Sequence, residues 1–157
     1  MLTINSTLGE KIGDIDRAYL TDQDLLNVEK FVNGFPVRVK AYNLLRDQSD
    51  ELVLRSISLL AQQYPELVKK SSHVCKYDMS LNLRYVALSI LRDDETFFRE
   101  ALIDWHANII HSYGISKEVS VAYCLLRKLT KKIAPPDCFN LINPYFEVTI
   151  SAFQKGA

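Results

Sequence analysis

A thiol and a carboxylate stand three residues apart in the run CKYDMSLNLRYVALSIL, which begins at Cys75. Residues at this spacing share one face of a helix, so the sulfur of Cys75 and the carboxylate of Asp78 can contact one ligand. The sulfur would form a covalent tether, and the carboxylate would accept hydrogen bonds from the ligand. Arg84 adds a positive charge farther along the same segment. The pattern therefore indicates a ligand held by one covalent bond and by hydrogen bonds.

Each of these residues also has a simpler interpretation. A single cysteine at a helix start is usually a small, partly buried side chain. Asp78 in a first helical turn would complement the helix dipole, and this role is compatible with ligand binding. Arg84 in mid-helix would be a salt-bridge partner or a solvated surface charge. The residue pattern alone leaves these alternatives open.

The composition is that of an ordinary globular chain. Its 157 residues are enough for one domain with a buried core. Hydrophobic residues make up 48% and charged residues 24%, which favours an ordered chain over a disordered one. The formal net charge is +0, so there is no basic excess to neutralise phosphates. We therefore expect neither a nucleic-acid-binding surface nor an anionic-membrane surface.

Targeting signals and cysteine spacing predict a reduced, cytoplasmic protein. No apolar run approaches the ~20 residues that cross a bilayer, and the N-terminal residues lack the basic start of a secretory signal. The cysteines Cys75, Cys124 and Cys138 are odd in number and widely spaced, which favours free thiols over a disulfide framework or a zinc site. We expect Cys124 in the core and Cys138 partly exposed at a helix start.

Helical periodicity predicts an all-α fold, because alternating strand patterns are nearly absent. Thr21 and Asp24 resemble a capping box at the start of a helix. Gly34 and Pro36 predict an irregularity after that helix. The polar segment 47–49 predicts a break in the chain.

Further helices are expected beyond this break. They span roughly residues 50–63, 76–91, 95–112 and 116–133, and a last helix follows Pro135-Pro136. The segment 65–72 between the first two is predicted to be a loop, and the helix over 76–91 to be largely buried. Gly114 is expected to terminate one helix and Ser116 to cap the next.

The chain resembles the phycobiliproteins, the bilin-carrying light-harvesting subunits of cyanobacteria and red algae, over nearly its whole length. The central pattern of that family places Asp three residues after Cys and Leu-Arg at plus eight and nine. It reads here as Cys75, Asp78, Leu83 and Arg84. Three other family patterns have matches. The opening Asp before Tyr-Leu-Thr reads as Asp14, Tyr19, Leu20 and Thr21. The turn reads as Tyr113 and Gly114, and the late aromatic pair as Tyr145 and Phe146. The allophycocyanins are the most similar subgroup.

The resemblance implies a single globin-like helical domain with an N-terminal helical extension. Residues 1–20 would form the extension for subunit pairing, and residues 21–157 the globin-like core. Asp14 and Arg84 would form a contact with a neighbouring subunit, either another phycobiliprotein or a second copy of this chain. Phycobilisome core or linker proteins would be further partners, at the cytoplasmic surface of the thylakoid membrane and without insertion into it.

The resemblance also implies a cofactor and a function. An open-chain tetrapyrrole (a bilin of the phycocyanobilin type) would be attached to Cys75 through a thioether. Asp78 would accept hydrogen bonds from its pyrrole N–H groups, which favours the protonated pigment. The chain would absorb light and pass excitation energy onward within an antenna. No bond is broken in turnover, so we do not expect an enzyme.

The remaining contacts to such a pigment are less clearly marked in the sequence. Tyr77 stands where the family usually has an arginine that pairs with a bilin propionate. His73, Lys76 and Arg84 are therefore the candidate cationic partners. Tyr77 and Trp105 are expected to pack against the pigment and limit its twisting.

Departures from the family pattern keep a bilin-free alternative open. The loop before Cys75 is short, and His106 and Ile110 replace a leucine and an aromatic residue of the family pattern. The alternative is an interaction module that acts in antenna assembly, turnover or stress regulation. Haem is a third interpretation. It is weakened because no histidine falls in the helix that would supply the proximal haem ligand in a globin-like core. His106 and His111 are five apart, which is not the spacing of a metal-binding pair on one helix face.

Overall fold

The computed structural model describes residues 4–13 and 19–155, and these are helical nearly throughout. The helices of the described ranges are α1 (Ser6–Gly13), α2 (Asp22–Asn33), α3 (Phe35–Gln63), α4 (Pro65–Arg92), α5 (Glu95–Phe98), a π-helical segment (Arg99–Ile103), α6 (Asp104–Ser112), α7 (Ser116–Ile133) and α8 (Pro136–Gln154). No strand occurs in these ranges. The predicted all-α class is confirmed.

The start of α2 is the predicted capping box. The side chain of Thr21 accepts a hydrogen bond from the backbone N–H of Asp24, and the carboxylate of Asp24 accepts one from the backbone N–H of Thr21. The predicted irregularity is also present, because Gly34 ends α2 and Pro36 lies in the first turn of α3. Proline fits there, since the first N–H groups of a helix have no partner within it.

The predicted break at residues 47–49 is wrong, because α3 continues through this segment. Leu45 and Leu52 are buried on one side of the helix, whereas Asp47 is exposed and accepts a hydrogen bond from the Arg46 side chain. Burial of the flanking leucines outweighs the small helix-propensity cost of aspartate and serine. The polar triplet marks a solvent-facing side of α3.

The predicted loop over residues 65–72 is wrong as well. Helix α4 begins at Pro65 and continues to Arg92, with non-helical backbone angles at Ser71 (φ −132°, ψ 18°). The kink separates the polar first part of α4 from the segment that begins near Cys75. The later part is less buried than predicted, since Tyr77, Arg84 and Leu88 are exposed to solvent.

The predicted helices over residues 95–112 and 116–133 are present. Gly114 follows the first of them with φ 65°, a left-handed backbone angle that glycine adopts without steric cost. Ser116 is not the cap of α7, because Ile115 occupies that position and the buried Ser116 hydroxyl has no hydrogen-bond partner. Pro144 lies inside α8 and does not end it.

The core lies where α3 packs against α4 and α7 and where α7 packs against α8. Its largest fully buried side chains include Tyr123, Phe98, Phe146, Phe153 and Leu126. Cys138 is fully buried at the start of α8, so the expectation of partial exposure is wrong. Within the described ranges, no helix has the length and apolar character needed to cross a membrane.

Candidate functional site

A cavity of about 300 Å³ lies beside the kinked part of α4. Its walls come from α3, α4, α6 and α7 and are mainly apolar. Apolar lining residues include Leu60, Leu67, Val74, Met79, Ile110 and Val119. Cys75, Asp78 and His106 add polar groups to these walls. The cavity therefore suits a largely apolar ligand that carries a few polar groups.

Cys75 lies at this cavity and is half-buried. Burial raises the pKa of its thiol, because a thiolate is poorly solvated there, and the negative charge of Asp78 raises it further. Cys75 is thus mainly a protonated thiol at neutral pH. The thiolate is the nucleophilic form, so covalent attachment at this sulfur needs a base or an elevated pH.

Asp78 lies one helical turn after Cys75, on the same wall of the cavity. Its side chain is 33% exposed, and its Oδ2 lies 3.9 Å from Nε2 of His106. The hydroxyl of Tyr123 donates a hydrogen bond to the backbone carbonyl of Asp78 at 3.4 Å and so ties α7 to α4. The predicted spacing does bring the thiol and the carboxylate to one cavity.

His106 lines the same cavity, although the sequence marked it only as a departure from a family pattern. His106 is 3% exposed, and its imidazole stacks on the ring of Trp105 and contacts the ring of Phe153 edge-on. The buried Nδ1 atom has no hydrogen-bond partner. The sequence did contain one indication of this position. His106 is four residues before Ile110, which replaces an aromatic residue of the family pattern, and residues at that spacing share one helix face.

Four other predicted contact residues do not line the cavity. His73, Lys76, Tyr77 and Trp105 are exposed. The indole N–H of Trp105 donates a hydrogen bond to the carbonyl of Ala101 at 2.9 Å instead. Neither lysine nor arginine is among the described residues that line the cavity. The roles of these four residues (His73, Lys76, Tyr77 and Trp105) toward a ligand remain predictions.

Arg84 lies on the face of α4 opposite Cys75, because nine residues rotate a helix by two and a half turns. It is exposed and borders a separate cleft of about 420 Å³ together with Leu45 and Leu88. Arg84 is therefore remote from the cavity that Cys75 lines, and its contact with another subunit stays a prediction. The predicted partner, Asp14, falls outside the described residues.

The other two thiols contribute no further site. Cys75, Cys124 and Cys138 are all free, as predicted. Cys124 packs against the core, and Cys138 is buried within it. Across residues 4–13 and 19–155, no cluster of three or more His, Cys, Asp or Glu side chains is arranged to hold a metal ion.

The family model described as "Phycobilisome protein" matches residues 12–153. The matched range includes every residue that lines the cavity around Cys75. This match confirms the family resemblance and the globin-like all-α class that the sequence predicted.

Proposed function

The chain belongs to the phycobilisome protein family, and from this premise we propose that it carries a covalently attached open-chain tetrapyrrole on Cys75. Proteins of this family harvest light as pigment proteins and are not enzymes. They assemble with other phycobiliprotein subunits at the surface of the thylakoid membrane. The bound pigment would absorb visible light and pass excitation energy to its neighbours.

One observation carries this proposal: Cys75 and Asp78 line the same wall of one apolar cavity. A linear tetrapyrrole offers apolar conjugated faces and a row of pyrrole nitrogens, and the cavity offers complementary surfaces. The carboxylate of Asp78 would accept hydrogen bonds from pyrrole N–H groups. The surrounding apolar side chains would exclude water and restrict twisting. These properties fit a residue pair that holds a pigment in one conformation.

Attachment would proceed by addition of the Cys75 S–H across a double bond at ring A of the pigment. A C–S bond forms, the proton ends on the pigment, and neither an oxidant nor a leaving group is required. The raised pKa of Cys75 makes this addition slow at neutral pH, because little thiolate is present. An attaching enzyme that removes the thiol proton would overcome this.

The ionised propionates of the pigment would remain near solvent. His73 and Lys76 flank the cavity residues Val74 and Cys75 in sequence and are exposed, so they are the proposed cationic partners. Tyr77 would pack at the outer edge of the cavity, and Trp105, which lies on α6, would limit twisting of the pigment. For Arg84 we propose the subunit contact, since it lies opposite Cys75 on α4.

The test is co-expression of the chain with a bilin-producing pathway. We expect visible absorption and zinc-induced fluorescence of the protein band on a denaturing gel. Cys75→Ala should abolish the covalent signal, whereas Cys124→Ala, which changes a thiol outside the cavity, should retain it. A colourless parent chain with a free Cys75 thiol would refute the proposed function. A covalent pigment in Cys75→Ala would move the attachment site elsewhere.

A second candidate is a bilin-free interaction module for antenna assembly, turnover or stress regulation. Two observations favour it: the described cavity walls hold no lysine or arginine for propionates, and α2 buries none of its side chains. Leu25 and Val32 of α2 are 53% and 59% exposed, so this helix offers an apolar surface. A colourless chain that still co-purifies with antenna subunits would support this candidate.

A further inference from the structure

We propose that His106 is a second polar ligand-binding residue in the cavity and that, beside Asp78, it contacts the nitrogen-bearing edge of a linear tetrapyrrole. This inference rests on the proposed function and extends it to a residue on a different helix. His106 comes from α6 and Asp78 from α4, so a ligand that contacts both side chains would join the two helices.

The first support is the distance between the two groups. Nε2 of His106 and Oδ2 of Asp78 are 3.9 Å apart, which is too long for a hydrogen bond. Both residues line the cavity, and each faces it from its own helix. A polar group of a ligand at this position could contact the carboxylate and the imidazole together.

The second support is the unmet hydrogen-bonding capacity of the imidazole. His106 is 3% exposed, and its Nδ1 is buried without a partner. Buried polar side-chain atoms in folded proteins nearly always have a partner, because leaving one unpaired costs the lost hydration of the group. Trp105 and Phe153 pack on the ring and restrict its rotation toward solvent. Nε2, the ring nitrogen nearest Asp78, lies beyond hydrogen-bond distance of that carboxylate, and a ligand group beside Asp78 would supply a bond to it.

The third support is chemical complementarity. A carboxylate only accepts hydrogen bonds, whereas a neutral imidazole presents one donor and one acceptor. The pair therefore fits a ligand edge that carries N–H groups beside groups that accept. The ring nitrogens and terminal carbonyl groups of a linear tetrapyrrole provide both. The other ionisable side chains on the described cavity walls are Cys75, Tyr113, Glu118 and Tyr123, and none of them is cationic.

The test uses the full chain, purified from a host without bilins and titrated with biliverdin, a soluble linear tetrapyrrole. His106→Leu should weaken binding about 3- to 10-fold, since it removes one hydrogen-bonding group of the site. His106→Gln, which retains a donor and an acceptor, should restore most of the affinity. The matched control is His111→Gln on the same helix, since His111 contacts the carbonyls of Ala152 and Phe153 outside the cavity. It should bind as the parent does.

The stability of the ligand-free variants separates a binding role from a packing role. His106→Leu should unfold at the same temperature as the parent or higher, because an unpaired imidazole is replaced by an apolar side chain. A lowered unfolding temperature together with unchanged biliverdin affinity would show a purely structural residue. Equal affinities of the parent and His106→Leu, or a parent that binds no biliverdin, would overturn the inference.

The failure of this inference differs from that of the proposed function. Biliverdin binding in this assay needs no thioether. A parent chain that binds biliverdin but never acquires a covalent pigment would therefore refute only the covalent attachment at Cys75. The affinities of the His106 variants would still decide the role of His106.

Discussion

The Cys75 sulfur shows how the cavity controls the reactivity of a single residue. Burial and the neighbouring Asp78 carboxylate both disfavour the thiolate, and both raise the pKa of the thiol. The carboxylate that we propose to hold the pigment therefore also lowers the reactivity of the free thiol. A free cysteine at this position would otherwise be open to alkylation and oxidation.

Neutralising Asp78 should make Cys75 more reactive. In Asp78→Asn the charge that raises the thiol pKa is lost, so more thiolate is present at any given pH below that pKa. Iodoacetamide should alkylate the Cys75 peptide faster, and the profile of rate against pH should shift to lower pH. Mass spectrometry of that peptide measures the rate. Asp50→Asn, an exposed carboxylate on α3, is the control and should leave the profile unchanged.

An unshifted profile in Asp78→Asn would show that the carboxylate charge does not act on the sulfur. Burial would then be the remaining cause of the raised pKa.

Helix ends determine how the N-terminal segment attaches to the rest of the molecule. Asp94 caps α5 by accepting a hydrogen bond from the backbone N–H of Phe97 at 2.9 Å. Its other oxygen accepts two bonds from Ser6, one from the backbone N–H and one from the hydroxyl. Asn5 donates to the carbonyls of Arg92 and Asp93 in the same turn. One carboxylate therefore joins the start of α1 to the connection between α4 and α5.

Replacing Asp94 should destabilise the fold in a pH-dependent way. Burial alone would raise its pKa, but bonds from Ser6 and Phe97 and the charge of Arg92 together lower it below 3.8. Its contribution is therefore full above the ordinary aspartate pKa and is lost as pH falls through the lower folded value. Asp94→Ala should cost about 1–3 kcal/mol at neutral pH, measured by urea unfolding, and the difference should shrink as pH falls below the ordinary aspartate pKa.

Ser6→Ala tests the α1 contact separately, because it removes the hydroxyl bond to Asp94 and leaves the backbone N–H bond of Ser6 and the α5 cap intact. It should cost less than Asp94→Ala. Equal stability of the parent and Asp94→Ala at neutral pH would contradict the anchoring role.

At the scale of the whole molecule, α4 presents two faces with different surroundings. One side of this helix carries Cys75 and Asp78 toward the cavity, and the other carries Arg84 and Leu88 toward solvent. The proposed pigment site and the proposed subunit contact would therefore share one helix without overlapping. The predicted division into an extension over residues 1–20 and a core over 21–157 stays a prediction, as does the Asp14 contact.

Removing the charge of Arg84 should weaken assembly and leave the cavity intact. Arg84→Ala and Asp14→Ala should each lower the association constant about tenfold or more, since a desolvated charge would lose its partner. Sedimentation velocity with the partner subunit, or with the chain alone at high concentration, measures this. Arg55→Ala, which removes an exposed arginine paired with Glu51 within α3, is the control. Unchanged association in both variants would argue against the contact, and biliverdin binding should be unaffected.

Features that depend on neighbours in sequence could be predicted directly. The Cys75–Asp78 spacing, the Thr21–Asp24 capping box and the Gly114 turn each involve residues within about one helical turn of each other. Local geometry therefore determines them before any tertiary packing forms. The same holds for the limits of α7, which lies between a glycine turn and a pair of prolines.

Only the tertiary structure decided the features that join distant segments. Helix α3 continues through residues 47–49 because the leucines on its inner face are buried by other helices. The burial of Cys138 and the exposure of Trp105 also depend on which helices pack around them. Periodicity predicts a helix but does not show which neighbouring helix covers it. The approach of His106 to Asp78 depends on how α6 packs beside α4. Sequence spacing carries no such information, since it describes one helix at a time and the cavity is formed by four.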